Sequence, residues 1–425
     1  MQLKLYAAQS PEVAPGSYEG ALRINVISSL GQIPIQGANV TISYANDPSN
    51  VISQLTTDMS GLTQTIELPT PPLALSQNPE SEIKPYSEYN ITVTATGYEP
   101  VIVTGSELLA DTTAVQPIRM NPLNITEEEE KLVVIPAHTL WGDYPPKIPE
   151  AEIKPLAETG EIVLSRVVIP EFVVVHDGAP SDRSAPNYWV KYTDYIKNVA
   201  SSEIYATWPE ATIYANILAI MSFTLNRVFT EWYRNMGYDF TITSSTAYDQ
   251  KWIYGRNTYE NIDRLVDTIF TNYLSRPGVR QPIFTSYCDG QRVTCSGLSQ
   301  WGSKQLGEEG YTPIEIIRYY YGNDMYINTA DVVSGVPSSF PGYNLSIGAS
   351  GDKVRQLQQQ LNRIAGNYPA IPTIVADGIY GTLTADAVRT FQQIFDLPVT
   401  GVTDFATWYA ISRIYVGVSR ISEPS

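Results

Sequence analysis

The sequence predicts a multidomain protein that combines an all-β sandwich, an α+β domain and a small all-α three-helix bundle. Three observations predict this fold class. Short β-branched runs separated by turn residues fill the first part of the chain, β-type and helical patterns alternate in the middle, and three amphipathic helical patterns close it. A chain of 425 residues is also too long for a single compact core.

Changes in composition along the chain set the expected domain boundaries. The predicted segments are residues 1–122 (β-sandwich), 123–161 (acidic and Pro-rich linker), 162–330 (α+β domain), 331–347 (Ser-, Pro- and Gly-rich linker) and 348–425 (helical bundle). In the first linker, the acidic run that follows Asn124 is expected to be a solvated helix start, and the prolines at 145, 146, 149 and 155 favour an extended connector.

The charge balance bears on the partners of the protein. The formal net charge is −17, and no cluster of Lys or Arg offers the basic face that nucleic acid or an anionic membrane requires. No apolar run reaches the length of a membrane span. The N-terminal stretch MQLKLYAAQSPEVAPG lacks the layout of a secretion signal, so either a signal has been removed or export takes another route, such as lysis.

The two cysteines are Cys288 and Cys295, and the two histidines, His138 and His176, lie far from them in sequence. This is a poor zinc ligand set, and we predict neither a metal nor a cofactor. A local disulfide across the turn between the cysteines and a pair of free thiols both remain open.

Helical spacing in the middle segment predicts three helices. Thr193 or Asp194 is expected to cap the first, Pro209 fits the first turn of the second, and the third is expected to begin near Asn261. A single carboxylate, Glu203, stands at the end of the first helical pattern, five residues before a Trp-Pro pair.

The β-rich segment carries IPIQGANVTI, then TTDMSGLT, then YNITVTATGYEP. This arrangement resembles the carboxypeptidase regulatory-like, or transthyretin-like, β-sandwich. The resemblance implies a structural spacer or adhesion module, and exposed edge strands of such a sandwich offer a surface for self-association.

The C-terminal segment carries GASGDKVRQLQQQLNRI, then ADGIYGTLTADAVRTFQQIFDLPVTGVTDFATWYAI. It looks like a peptidoglycan-binding domain of the three-helix type. The matching positions, such as Leu357-Gln358, Asp377-Gly378, Phe391-Gln392 and Gly401, are core and turn residues and so identify the fold. The resemblance implies noncovalent attachment to peptidoglycan, and the alternative is a bundle that has kept the fold without this ligand.

Two motifs of the middle segment resemble the stage II sporulation protein D and amidase-enhancer family. One is LSQWGSKQLGEEGYTPIEIIRYYYGND from Leu298, and the other is YIKNVASSEIYATWPEATIYANILAIMSFTL, which includes Glu203. The resemblance implies a lytic transglycosylase with Glu203 as the catalytic residue. One Glu suffices because the 6-hydroxyl of the sugar is the nucleophile, so that the same carboxyl first donates and then accepts a proton.

Around Glu203 we expect Tyr248, Ser299 and Gln300 to contact substrate, and Trp208 to line the site. The chain departs from the family pattern at two positions, where Met221 stands in place of an Arg and Thr294 in place of a His. Tyr248 and Asp249 also replace the soft ligands of the family's metal-binding stretch, so no zinc is expected there.

Two functional hypotheses follow. The first is a peptidoglycan-binding protein of the cell wall or spore envelope of a bacterium that cleaves glycan strands as a lytic transglycosylase. The second is a non-catalytic structural component of the spore or cell surface, built on the same folds, with self-assembly through the sandwich as one form of it. Peptidoglycan glycan strands are the expected partner in both.

Overall fold

A computed structural model describes most of the chain. The described residues are 18–123, 131–138, 145, 147–154, 166–330, 332–334 and 340–419. The N-terminal stretch, considered above as a secretion signal, and the acidic run at 124–130, predicted to start a helix, lie outside them.

The N-terminal unit is built from strands with a single short helix. Its elements are β1 (Glu19–Ser28), β2 (Asn39–Tyr44), β3 (Asp47–Thr56), β4 (Ile66–Pro69), α1 (Ala74–Gln77), β5 (Tyr86–Thr94), β6 (Val101–Leu109) and β7 (Thr113–Met120). Alternate residues along β1 and β7 are buried, as expected for strands with one face on a core.

The middle unit mixes short strands with helices. The elements that follow β7 are β8 (Lys131–Val134), β9 (Val168–Ile169), β10 (Phe172–His176), β11 (Asn187–Lys191), α2 (Tyr192–Glu203), α3 (Glu210–Phe229), a 3-10 turn (Arg234–Met236), β12 (Ile242–Thr243), β13 (Thr258–Tyr259), α4 (Glu260–Ile269), β14 (Asn272–Ser275), β15 (Tyr287–Cys288), β16 (Leu298–Ser299), α5 (Gln300–Glu308), α6 (Pro313–Tyr321), β17 (Tyr326–Thr329) and β18 (Val332–Val333). Helix α3 is buried along most of its length and forms the centre of this unit.

Two sheets share the core of the N-terminal unit. One has the strand order β3-β2-β5-β6-β8 and the other β13-β7-β1-β4. Strand β8 pairs in parallel with β6 although it lies in the segment predicted to be a linker, and β13 of the middle unit pairs with β7. Each sheet thus gains a strand from outside the N-terminal unit, while β3 remains a largely exposed edge.

The helix starts of the middle unit differ in detail from the predicted caps. Helix α2 follows β11 directly, with Lys191 at the cap position and no side-chain cap bond, so the prediction of a Thr193 or Asp194 cap is wrong. The reason is that the pairing of β11 with β10 determines where the helix begins. Asp194 therefore lies in the first turn, where its negative charge interacts favourably with the helix dipole. Pro209 precedes α3 by one residue.

Three helices make up the C-terminal module: α7 (Asp352–Ala365), α8 (Thr382–Ile394) and α9 (Phe405–Ser419). Two buried glutamines hold its turns. The Gln358 side-chain oxygen accepts a bond of 2.8 Å from the Gly378 amide, and the Gln392 oxygen accepts one of 2.9 Å from the Gly401 amide. Gly401 has a φ of +71°, which explains a glycine at that turn.

A buried charge cluster joins the N-terminal and middle units. Arg256 donates to Glu107 of β6 across 3.1 Å, and His138 lies 3.0 Å from the other oxygen of Glu107. Asn257 exchanges two hydrogen bonds of 2.9 Å with the Glu107 backbone. Burial opposes ionisation of Glu107, but His138 and Arg256 outweigh it and hold the pKa of Glu107 below its usual value.

Residues 147–154 form a strap along the middle unit. Glu150 of the strap receives two hydrogen bonds, of 2.6 and 2.7 Å, from the fully buried guanidinium of Arg227 on α3. Lys154 pairs with Glu150 at 2.5 Å and lies over the ring of Phe284 at 3.9 Å. The strap has no regular secondary structure, yet these contacts make it part of the core of the middle unit rather than a free connector.

Candidate functional site

Glu203 is the last residue of α2, and its carboxylate is held by two donors. The backbone amide of Lys251 donates to Oε1 across 2.6 Å, and the side-chain amide of Gln300 donates to Oε2 across 3.1 Å. The side chain is buried, at 8 % exposure. Three segments far apart in sequence therefore meet at this one carboxylate.

Two fully buried residues position the loop that carries Lys251. Gln250 accepts hydrogen bonds from Tyr195 at 3.0 Å and Thr224 at 2.8 Å, and it donates to a carbonyl of α3. Asp249 accepts from Arg227 and from the Tyr233 hydroxyl, each at 2.7 Å. With all these bonds made inside the core, the Lys251 amide has a fixed direction toward Glu203.

The four residues of the Ser-Gln-Trp-Gly motif each have a distinct local role. Ser299 caps α5 by accepting a 3.0 Å bond from the Gly302 amide, and Gln300 turns inward to Glu203. The ring of Trp301 packs against that of Trp208, with 4.9 Å between centroids. A Cβ on Gly302 would lie 2.2 Å from the Tyr320 hydroxyl, so that a larger residue there would require the Tyr320 side chain to move.

The environment of Glu203 changes its acidity. Burial raises the pKa of the Glu203 carboxyl, and this effect exceeds the opposing influence of the Lys147 charge, the Lys251 amide, Gln300 and Tyr287. A raised pKa keeps more of the carboxyl protonated near neutral pH, which is what a general acid requires.

Other predicted site residues lie elsewhere or have different partners. Trp208 is buried, and its indole N–H donates to the Ser76 carbonyl of the N-terminal unit across 2.9 Å, so its only donor is already used. Tyr248 is half-buried, and its carbonyl accepts from Arg227. Met221 is fully buried in α3, and Thr294 is exposed.

Cys288 and Cys295 form a disulfide with a Cα–Cα distance of 6.0 Å. It closes the turn that leads from β15 to β16 and hence to Gln300. Within the described ranges, no group of three or more His, Cys, Asp or Glu side chains is placed to hold a metal ion.

The sequence motifs predict Glu203 and Gln300 as site residues but not their contact, and they give no indication of the Lys251 amide. A backbone donor leaves no residue-type signal, because any residue at position 251 supplies the same N–H. Asp249 was considered only as a poor metal ligand, whereas its position beside Arg227 makes it an anchor of the site loop.

Comparison with known proteins identifies the C-terminal module. Residues 350–411 match the family described as "Putative peptidoglycan binding domain". The prediction of a peptidoglycan-binding domain in this part of the chain is confirmed. The matched range covers all of α7 and α8 and the first half of α9, together with the two turns held by Gln358 and Gln392.

Three solved structures resemble parts of the chain. The SleB N-terminal domain is 32% identical and covers 18% of this chain and 99% of its own, with a TM-score of 0.16. The Bacillus anthracis TIE protein is 16% identical, covering 28% of this chain and 21% of its own, with a TM-score of 0.19. The minor pilin GBS52 of Streptococcus agalactiae is 15% identical, covering 28% and 49%, with a TM-score of 0.18. At these TM-scores none of the three carries an argument about this chain.

No curated protein matches the chain significantly. None of the helices in the described ranges is long and apolar enough to cross a membrane. The resemblances of the middle unit to the sporulation protein D family and of the N-terminal unit to the carboxypeptidase regulatory-like sandwich stay predictions.

Proposed function

We propose that this protein binds peptidoglycan through its C-terminal module and cleaves the glycan strand in its middle unit as a lytic transglycosylase, with Glu203 as the single catalytic carboxyl. The observation that carries the proposal is the placement of Glu203. Its carboxyl is buried, held by the Lys251 amide and Gln300, and raised in pKa by its surroundings.

The proposed reaction has two proton transfers and no second carboxylate. Glu203 gives its proton to the glycosidic oxygen as the bond from that oxygen to C1 breaks. The 6-hydroxyl of the same sugar attacks C1, and its proton passes to Glu203, which restores the acid and leaves a 1,6-anhydro end. A raised pKa suits both steps, because the carboxyl is protonated at the start and basic enough to take the second proton.

The match at residues 350–411 supports the binding half of the proposal. A module that holds the polymer raises the local concentration of glycan strand at the middle unit, since the second contact becomes intramolecular. We accordingly place the protein at the cell wall or spore envelope of a bacterium.

A second candidate function is binding without cleavage, as a structural component of the envelope. Met221 favours it, because an uncharged, fully buried side chain at that position cannot hold a sugar oxygen. The small exposed fraction of Glu203, 8 %, favours it as well.

Digestion of purified peptidoglycan tests the proposal. The full chain and its Glu203→Gln variant are incubated with intact and with peptide-stripped peptidoglycan, and the soluble products are analysed by mass spectrometry. We expect 1,6-anhydro products from the wild type and none from Glu203→Gln, while both proteins sediment equally with the polymer. If neither protein releases products and both sediment, the second candidate is correct.

A further inference from the structure

Lys147, at the start of the strap formed by residues 147–154, reaches into the middle unit beside the Glu203 loop. Its Nζ donates to the Asp249 carbonyl across 2.8 Å and lies 4.0 Å from the centroid of the Tyr287 ring. The ring of Phe223 is 4.9 Å away on α3. A backbone bond of 2.9 Å from the Ile148 amide to the Ala247 carbonyl fixes the strap at this point.

The same short loop holds both Lys147 and Glu203. Lys147 binds the carbonyl of residue 249, and Glu203 accepts from the amide of residue 251. The ammonium and the carboxylate therefore lie at the two ends of a single residue, Gln250, whose side chain is fully bonded in the core. Tyr287 lies close to both groups.

Lys147 forms no direct ion pair with a residue that the structure describes. Among the residues that the structure describes, no carboxylate lies within salt-bridge distance of its Nζ, whereas Lys154 of the same strap is paired with Glu150. Two aromatic rings stabilise the ammonium through cation–π contacts. A charge in such surroundings acts on a neighbouring carboxylate more strongly than one in solvent.

We propose that Lys147 is a positioning residue for Glu203: the strap delivers an ammonium that stabilises the Glu203 carboxylate after it has released its proton. The inference rests on the proposed function, and it makes the strap part of the site. When the glycosidic oxygen takes the proton, Glu203 becomes an anion, and the nearby positive charge lowers the free energy of that anion until the 6-hydroxyl proton returns.

Several charged and titratable groups face this pair. Tyr287, Lys251 and Tyr195 surround Glu203, while Asp249, Glu150 and Arg227 surround Lys147. Burial lowers the pKa of Lys147, and the Glu203 carboxylate is the first of the charges that oppose this. The influence is mutual, so that removal of the Lys147 charge must appear in the titration of Glu203.

The test is a direct titration of Glu203 by ¹³C NMR in the full chain labelled at the Glu carboxyl carbons, with Glu203→Gln assigning the signal. Lys147→Met removes the charge and keeps the bulk of the side chain, and we expect it to raise the pKa of Glu203 by about one unit. Lys147→Arg restores the charge and is expected to return the titration to within about 0.3 unit of wild type. Lys251→Met is the matched control, and its shift is expected to be smaller than half that of Lys147→Met.

An unchanged Glu203 titration in Lys147→Met, with the strap still in place, overturns the inference. The strap is monitored by protection of the Ile148 amide from hydrogen exchange, and the variant Glu150→Gln shows what a released strap looks like. The titration needs no turnover, so it separates the two claims. A shifted pKa together with no 1,6-anhydro product from the wild type upholds the electrostatic role of Lys147 and rejects the proposed reaction.

Discussion

Gln300 donates its side-chain amide to the Glu203 carboxylate across 3.1 Å, although 97 residues separate them in sequence. The bond joins the first residue of α5 to the last residue of α2. It also links the two sequence motifs from which the function of the middle unit was predicted. Gln300 thus contributes to the acidity of Glu203, and its side chain points inward instead of capping its helix.

Replacement of Gln300 by Leu removes one donor from the ionised form of Glu203. Because this hydrogen bond is stronger to the ionised than to the neutral carboxyl, we expect the pKa of Glu203 to rise further, by about one unit. The isotope-edited carboxyl band of Glu203 in pH-difference infrared spectra measures this. Gln305→Leu is the control, since Gln305 is exposed on the same helix and its side-chain amide donates to the exposed Glu309 across 3.0 Å. Identical titrations in the two variants would contradict the assignment.

Neutralisation of Glu107 should destabilise the protein strongly. Glu107→Gln leaves the buried guanidinium of Arg256 without its counter-charge, and breaking such a pair costs about 3–5 kcal/mol at pH 7. Urea unfolding followed by circular dichroism measures the loss. Asp386→Asn, which breaks the ion pair with Arg389 between two half-exposed side chains, is expected to cost less than about 1 kcal/mol.

The cost of Glu107→Gln depends on pH in a defined direction. The pKa of Glu107 in the folded protein lies below the ordinary value of 4.5, so ionised Glu107 stabilises the fold above that pH, and this contribution is lost as the pH falls through the folded-state pKa. The difference in unfolding free energy between wild type and variant should therefore shrink in acid. A difference that stays constant down to pH 3 would show that Glu107 acts by packing alone.

A substitution at Gln392 tests whether its buried hydrogen bonds stabilise the peptidoglycan-binding module. Its side-chain oxygen accepts from the amides of Thr400 and Gly401, and its NH₂ donates to the Val402 carbonyl. Gln392→Leu leaves the buried amide of Gly401 unpaired, and we expect a loss of about 1–3 kcal/mol in the unfolding free energy of the module. The neighbouring exposed Gln393, changed to Leu, should shift it by no more than about 0.5 kcal/mol. Equal losses from the two variants would rule out this role for Gln392.

Local patterns predicted the helical module well. The spacing of Leu357, Leu361, Val388 and Phe391 is that of amphipathic helices, and all four side chains are buried in α7 and α8. Such elements are set by contacts a few residues apart, which a single sequence records directly. The turn glycines were equally visible, because a positive φ selects glycine.

The strap and the charged contacts between units were not predictable in the same way. The prolines around Lys147 indicate an extended chain, and an extended chain is compatible with both a free linker and a packed strap. What decides between them is the pairing of Glu150 with Arg227, 77 residues away. The pairing of Arg256 with Glu107 spans 149 residues. Long-range ion pairs have no periodicity, so the sequence carries no local signal of them.

Isotope incorporation at the new glycan end tests the central claim most directly. Peptidoglycan is digested by the full chain in H₂¹⁸O, and the released fragments are weighed by mass spectrometry. The account predicts 1,6-anhydro ends without ¹⁸O that disappear with Glu203→Gln, because the attacking oxygen comes from the sugar. Reducing ends that carry ¹⁸O, or anhydro products that persist in Glu203→Gln, would contradict a single-carboxyl transglycosylase at Glu203.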